Sequence, residues 1–326
     1  MAPCVLKKSS EVQSLQPAIY KFGGLRIASS LPLRELHLCR DETEAPAEVA
    51  IRCAPIPEVV TSSTKKIIDG HHSGTYNGRD LLLAFKGAGR FLLRGGEEII
   101  VEPAPSSDDD YVRALLLGVV FGALCHQRGI VPLHASAIDV ADGCIAFVGP
   151  SGAGKSTTVA ALAQRGHEII ADDECFLQLS TGGDVQAWPG ISGRTRLWKD
   201  SMTALGFDGA PEFEREMQGC DKYLIPLPAP QNPIQLRPLR RVYQLCRVSN
   251  GVTELTRLRG GDALEVLLQN IYPEEIHTLL GYQSHVFTVC VAAVLDVPIF
   301  RLSQTRDLNT IDQSTELLDR HLQDSQ

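Results

Sequence analysis

The chain has 326 residues, 44% of them hydrophobic, which is ample for a buried core in one large or two modest domains. Its net charge is −8 and its isoelectric point about 5.6, so no basic footprint for nucleic acid exists at whole-chain level. Nine widely spaced cysteines, none in a Cys-x-x-Cys pair, suggest neither a disulfide scaffold nor a zinc site and fit a reducing cytosol.

Arg237, Arg240 and Arg241 read as a solvated face or as anion contacts. Met1 to Ser30 carries no uninterrupted apolar segment, so no secretory signal is expected. The longest apolar run, Ala114–Cys125, is too short to span a bilayer and predicts a buried helix. A cytoplasmic chain with no nucleic-acid and no membrane partner is the expectation.

In chain order, the first part reads as β-rich. Ile19–Ser29 carries Tyr20, Phe22, Leu25 and Ile27 in near alternation. Val49–Arg52, Leu81–Phe85, Phe91–Leu93 and Glu97–Val101 are further short strands between Gly, Pro, Asn and Asp turns. Arg40–Glu48 is acidic and polar and predicts a loop. Residues 1–105 are therefore assigned to a β-rich N-terminal subdomain and residues 106–326 to a second domain.

Ser106–Asp110 offers several N-cap residues for a helix over Tyr111–Arg128, closed by Gly129. Leu133–Val140 and Cys144–Val148 predict strands joined by an Asp142-Gly143 hairpin turn. Lys155–Arg165 predicts a helix with Val159, Leu162 and Ala163 inward, ended by Gly166, and Glu168–Ala171 the next strand. Beyond Ser180 the chain reads as looser. Trp188-Pro189-Gly190 and Ser192-Gly193 mark loops, and Pro226, Pro228, Pro230 and Pro233 a loop or flap. Leu239–Val248 and Gly251–Leu258 predict a strand pair, Gly261–Asn270 and Glu274–Leu280 helices, Val297–Leu302 a strand, and Asn309–Gln323 a terminal helix.

Gly149-Pro150-Ser151-Gly152-Ala153-Gly154-Lys155-Ser156 fits G-x-x-x-x-G-K-[ST] in full. Glycines let the backbone curl so that successive N–H groups converge on phosphate oxygens, and the following helix adds its N-terminal dipole. Lys155 then reaches the terminal phosphates and Ser156 a magnesium ion. The candidate nucleotide-binding residues are Gly149, Ser151, Gly152, Ala153, Gly154, Lys155, Ser156 and Thr157, for ATP or another nucleoside triphosphate.

Asp172 and Asp173 end the next strand, where an open α/β sheet faces its ligand. One carboxylate can hold magnesium while the other takes a proton from an attacking hydroxyl. Ser156 and Asp173 are the candidate metal ligands, although either aspartate fits; the pair reads alternatively as a cap or turn. His134 opens the strand before the hairpin and reads as a phosphate contact or proton carrier, or as a hydrogen-bonded core histidine. Arg194 and Arg196 lie in a glycine-flanked segment and suit phosphate through the guanidinium fork, or are surface residues beside a core Trp198. Lys222 and Arg237 are weaker candidates of the same kind.

His134-Ala-Ser-Ala, the glycine-rich loop and Arg165-Gly166-His167-Glu168-Ile169-Ile170-Ala171-Asp172-Asp173 together resemble the catalytic domain of HPr kinase/phosphorylase. The resemblance implies an α/β P-loop kinase core of the HPr kinase / phosphoenolpyruvate carboxykinase type. Tyr20–Leu36, Pro189–Trp198, Lys222–Pro226 and Val297–Leu308 look like the shorter HPr-kinase-like serine kinases, some of which phosphorylate the C-terminal serine of a lasso precursor peptide. A peptide or protein serine acceptor, Asp172 or Asp173 as base, and a homo-oligomer are implied by that resemblance. Thr157 stands where HPr kinases commonly carry Glu, and the signature loop for phosphorolysis has no clear match. A small-molecule kinase acting on free serine or a sugar, and a nucleotide-hydrolysing regulator, are the rival readings.

Overall fold

A computed structural model describes residues 17–39, 45–57, 65–68, 72–207, 221–228, 235–249, 252–305, 307 and 310–323. It is a mixed α/β structure with several sheets. The chain divides into two compact units, Met1–Pro132 with Tyr272–Val286, and Leu133–Ile271 with Phe287–Gln326. The sequence reading draws its boundary at residue 105; this division falls at Pro132.

In the first unit, β1 (Ala18–Phe22), β2 (Leu25–Ser29), β3 (His37–Leu38), β4 (Val49–Cys53), β5 (Lys65–Ile68), β6 (His72–Tyr76), β7 (Asp80–Phe85), β8 (Gly89–Arg94) and β9 (Glu98–Pro103) form one sheet. Its order is β3-β1-β2-β4-β9-β8-β7-β6-β5. Ile19–Ser29 is a hairpin rather than one strand. Gly23 and Gly24 both take positive φ, 55° and 81°, as a two-residue turn between twisted strands demands. Leu81, Leu83, Phe91, Leu93, Ile99 and Val101 are fully buried on one face of the sheet, and Leu92 and Ile100 are buried on the other with Ile56.

α1 (Asp109–Leu115) and α2 (Phe121–Gln127) are joined by a π-helical turn, Leu116–Val120, in which Gly118 leaves helical geometry. The single helix read over Tyr111–Arg128 is therefore two. Asp108 is the N-cap, its carboxylate accepting from the N–H groups of Asp110 at 2.8 Å and Tyr111 at 3.0 Å. Gly129 closes the run at φ 71°. The rings of Phe22 and Phe121 lie 4.5 Å apart.

His126 on α2 is buried, with Nε2 3.1 Å from the Tyr272 carbonyl, to which it must donate. Burial, with the nearby His277 adding to it, lowers its pKa to about 3. Between that value and the ordinary 6.5 the unfolded chain binds the extra proton. Stability from this group is thus complete above pH 6.5 and is lost as pH falls toward 3. Melts at pH 7.5 and 5.0 are expected to show a loss of about 2 kcal/mol for this group, and His126→Leu to flatten that dependence.

The second unit begins at the end of β10 (Val131–Leu133) and runs through β11 (Ala135–Val140), β12 (Gly143–Val148), α3 (Lys155–Gln164), β13 (Ile169–Ala171), β14 (Cys175–Leu179) and β15 (Val185–Trp188). It continues with β16 (Arg194–Trp198), α4 (Lys199–Ala204), β17 (Lys222–Pro226), β18 (Arg237–Val248), β19 (Glu254–Leu258) and α5 (Gly260–Leu268). The Ile276–Leu280 helix of the first unit is α6; α7 (Gln283–Asp296), β20 (Ile299–Thr305) and α8 (Ile311–Gln323) follow. The central strands lie in the order β14-β15-β18-β12-β11-β13, with β20 also on β18.

Strand β12 is parallel to β18, and β18 to β20, so their carboxyl ends lie together. β11 is antiparallel to both β12 and β13, so β13 ends at that same edge. The predicted pair Leu239–Val248 with Gly251–Leu258 is not made: β18 and β19 each pair with β20 instead. The stretch read as loose after Ser180 contains β15 and a separate two-stranded ribbon, β16 with β17. Pro230 and Pro233 lie outside the described residues. The reading over Leu133–Val140 is broken at His134, which belongs to neither β10 nor β11.

Helix α3 is buried on two faces. Val159, Leu162 and Ala163 pack with Ile145, Phe147, Ile169 and Leu245, and Ala160 and Ala161 pack with Leu197, Met202 and Ile225. The Arg165-Gly166-His167 turn docks α8, as Arg165 pairs with Asp319 and His167 Nε2 lies 2.9 Å from the same carboxyl. Among the described residues no helix is long and apolar enough to cross a membrane.

Candidate active site

The glycine-rich loop leaves the carboxyl end of β12, all of whose residues are buried, and enters α3 at Lys155. Gly149, Gly152 and Gly154 take positive φ, at 143°, 78° and 102°, which side chains rarely tolerate. Space enforces the same choice. A Cβ on Gly149 would stand 2.7 Å from the Leu245 carbonyl oxygen. The loop is held from two sides. Gly149 N–H donates to Asn270 Oδ1 at 2.9 Å. Arg247 Nε donates to the Ala153 carbonyl at 3.0 Å and its NH1 to the Thr305 carbonyl at 3.0 Å.

Lys155 is buried, and its ammonium donates to the Gly149 carbonyl at 2.6 Å. Burial lowers its pKa to about 8, against the carboxylates of Asp173 and Asp172 and with help from Lys222. It therefore keeps most of its charge at pH 7. The Thr157 hydroxyl points to the packed side of α3, donating to Ser201 Oγ at 3.2 Å.

Asp172 is the hub. Its Oδ1 accepts from Ser136 Oγ at 2.7 Å and Ser156 Oγ at 2.9 Å. Its Oδ2 accepts from Thr195 Oγ1 at 2.7 Å and the Arg196 N–H at 3.0 Å. One buried carboxylate thus joins the head of α3 to β11 and to the β16 backbone. Gly190 lies close against the chain that follows Asp172: a Cβ there would sit 2.0 Å from the Glu174 carbonyl oxygen.

Asp173 turns away. It takes φ 74°, a left-handed conformation that aspartate tolerates better than most residues, and its carboxylate pairs with Arg196 NH1. Its carbonyl accepts from Ala135 N–H at 3.1 Å and from His134 Nδ1 at 2.9 Å. Nδ1 therefore carries a proton, since a carbonyl only accepts. Burial, with the positive charge of Lys155 adding to it, lowers the pKa of His134, so the ring is neutral at pH 7. Glu174 is also buried. Desolvation first and Asp173 second push its pKa to about 8, against Arg196, so it is mostly protonated at neutral pH.

The structure thus brings Gly149–Ser156, His134, Asp172, Asp173 and Arg196 to one edge. Ser156 meets Asp172, not Asp173. Arg194 begins β16 opposite Pro226. Arg237 is not part of this cluster: it lies at the start of β18, the opposite end from the loop, and pairs with Asp139 at 2.9 Å. Trp198, read alternatively as a core residue, is 49% exposed. Asn270, Thr195, Arg247 and Glu174 carry no signal in the sequence that marks them for this site. Ser136 lies inside the His134-Ala-Ser-Ala motif and is the one additional partner with a visible signal.

No protein-family model matches the chain, and no curated protein matches it. Among solved structures it is similar to the Hpr(Ser) kinase/phosphatase from Coxiella burnetii, at 11% identity over 59% of this chain and 98% of that one, with a TM-score of 0.28.

Proposed function

We propose that the chain is a magnesium-dependent kinase that moves the γ-phosphoryl group of ATP, or of another nucleoside triphosphate, onto a serine hydroxyl of a peptide or protein. The observation behind this reading is the division of labour in the acidic pair. Asp172 is tied to Ser156 at the head of α3, while Asp173 faces Arg196.

The donors suit the groups required. Positive-φ glycines give the loop the curl by which P-loop amides converge on phosphate oxygens, and Lys155 adds a charge. Ser156 and Asp172 offer oxygen ligands, which a hard cation prefers, and these two would hold magnesium. Bound there, the ion neutralises charge on the phosphate oxygens. Asp173 accepts the proton of the serine hydroxyl as its oxygen bonds to the γ-phosphorus and the bond to the leaving diphosphate breaks. Arg196 offsets charge on the transferred group, and His134 holds the Asp173 turn. Most of the acceleration is positioning and electrostatics.

The sequence resemblance to peptide-tailoring kinases extends the reading to the C-terminal serine of a lasso precursor peptide. Transfer of labelled γ-phosphate tests it. Label is expected on the peptide and is lost when its terminal serine is deleted. Label found only in water makes the protein a nucleotide-hydrolysing regulator, and label on free serine or a sugar a small-molecule kinase. Lys155→Ala is expected to weaken nucleotide binding by about a hundredfold, measured by calorimetry.

A further inference from the structure

We infer that the outward face of the β16–β17 ribbon docks the phosphoryl acceptor, and that the acceptor it takes is an extended segment with acidic side chains beside its hydroxyl residue; this rests on the phosphotransfer reading above. Thr195 and Leu197 are each 1% exposed, so strand alternation puts Arg194, Arg196 and Trp198 on the opposite face of β16. The register sets Trp198 against Lys222 and Arg196 against Leu224, so Lys222 shares that face. The Lys222 ammonium lies over the Trp198 ring, 5.2 Å from its centroid.

The face begins at the reacting end of the site, because Arg196 holds Asp173. Trp198 is two residues further along, about 7 Å of strand. A nucleoside base is separated from the transferred group by the whole triphosphate and sugar, so a platform this close to Asp173 serves the acceptor. Lys222 and Arg194 lie on this face beside Arg196, whose guanidinium is already paired with Asp173, and cations on one face of a chain of net charge −8 favour an anionic partner. Large aromatic residues with a cation beside them are typical anchors of binding surfaces. Because the Arg196 N–H already donates to Asp172, the partner engages side chains of the face and not the β16 backbone edge.

The chain has two tryptophans, so Trp188→Phe leaves Trp198 as the sole reporter. A serine peptide flanked by Asp and Glu is titrated without nucleotide, alongside the same peptide carrying Lys at those positions and MgATP alone. The acidic peptide is expected to change Trp198 emission with an affinity that falls as salt rises, and the lysine peptide is not. Lys222→Glu in that background is expected to weaken binding about tenfold, and Lys222→Gln, which keeps the stem, to weaken it less. Equal binding of the lysine peptide, or unchanged affinity in both Lys222→Glu and Trp198→Ala by calorimetry, overturns the inference. So does an emission change given by MgATP and not by the acidic peptide, which would hand the face to the nucleotide base. Docking is read without nucleotide, so failure of phosphoryl transfer is a separate result.

Discussion

Asp173→Asn is expected to slow phosphoryl transfer by about 10²–10⁴-fold while MgATP affinity stays within about threefold. Asparagine tolerates the left-handed conformation that Asp173 adopts, and the carbonyl still accepts from His134 and Ala135. What is removed is the proton acceptor and the charge facing Arg196. That ion pair joins side chains 33% and 27% exposed, so its loss costs at most about 1 kcal/mol of stability. Rate and fold are thereby separated. Single-turnover transfer together with nucleotide titration checks the prediction, and a variant transferring at the wild-type rate removes Asp173 from the role of base.

Asp172→Ala acts differently, because Asp172 is structural as well as chemical. Its carboxylate accepts from three hydroxyls and one backbone N–H in a buried setting. Hydroxyls can rotate to other acceptors, but the Arg196 N–H cannot. The loss is expected to be about 3 kcal/mol, or a fall of about 6–12 °C in Tm, together with the magnesium dependence of nucleotide affinity. Asp172→Asn is expected to cost about 1 kcal/mol: its oxygen can face Arg196 and Thr195 while the serines turn to accept from its amide. Thermal melts with and without MgATP check both variants. A wild-type Tm for Asp172→Ala would show that the four hydrogen bonds carry no net stability.

What the sequence by itself determined is what lies close together along the chain. The strand, glycine turn and helix from β12 through α3 are contiguous, so apolar runs and glycine spacing expose them without any tertiary knowledge. The β11–β12 hairpin, an N-cap within Ser106–Asp110 and the end of β13 are legible for the same reason, while the choice of Asp108 is made by the structure. Tertiary structure decided everything that crosses between segments. Which aspartate meets Ser156 depends on β13 pairing with β11 and on the φ of Asp173, neither of which composition records. Asn270 and Arg247 reach the glycine loop, and Thr195 reaches Asp172, only because α5, β18 and β16 are folded against it. β18 and β19 look like a strand pair from adjacency, yet both bond to β20, since backbone N–H and C=O groups take whichever strand the sheet supplies. A core position for Trp198 is one of two alternatives open in the sequence, and only the burial of Thr195 and Leu197 on the other face places it outward beside Lys222.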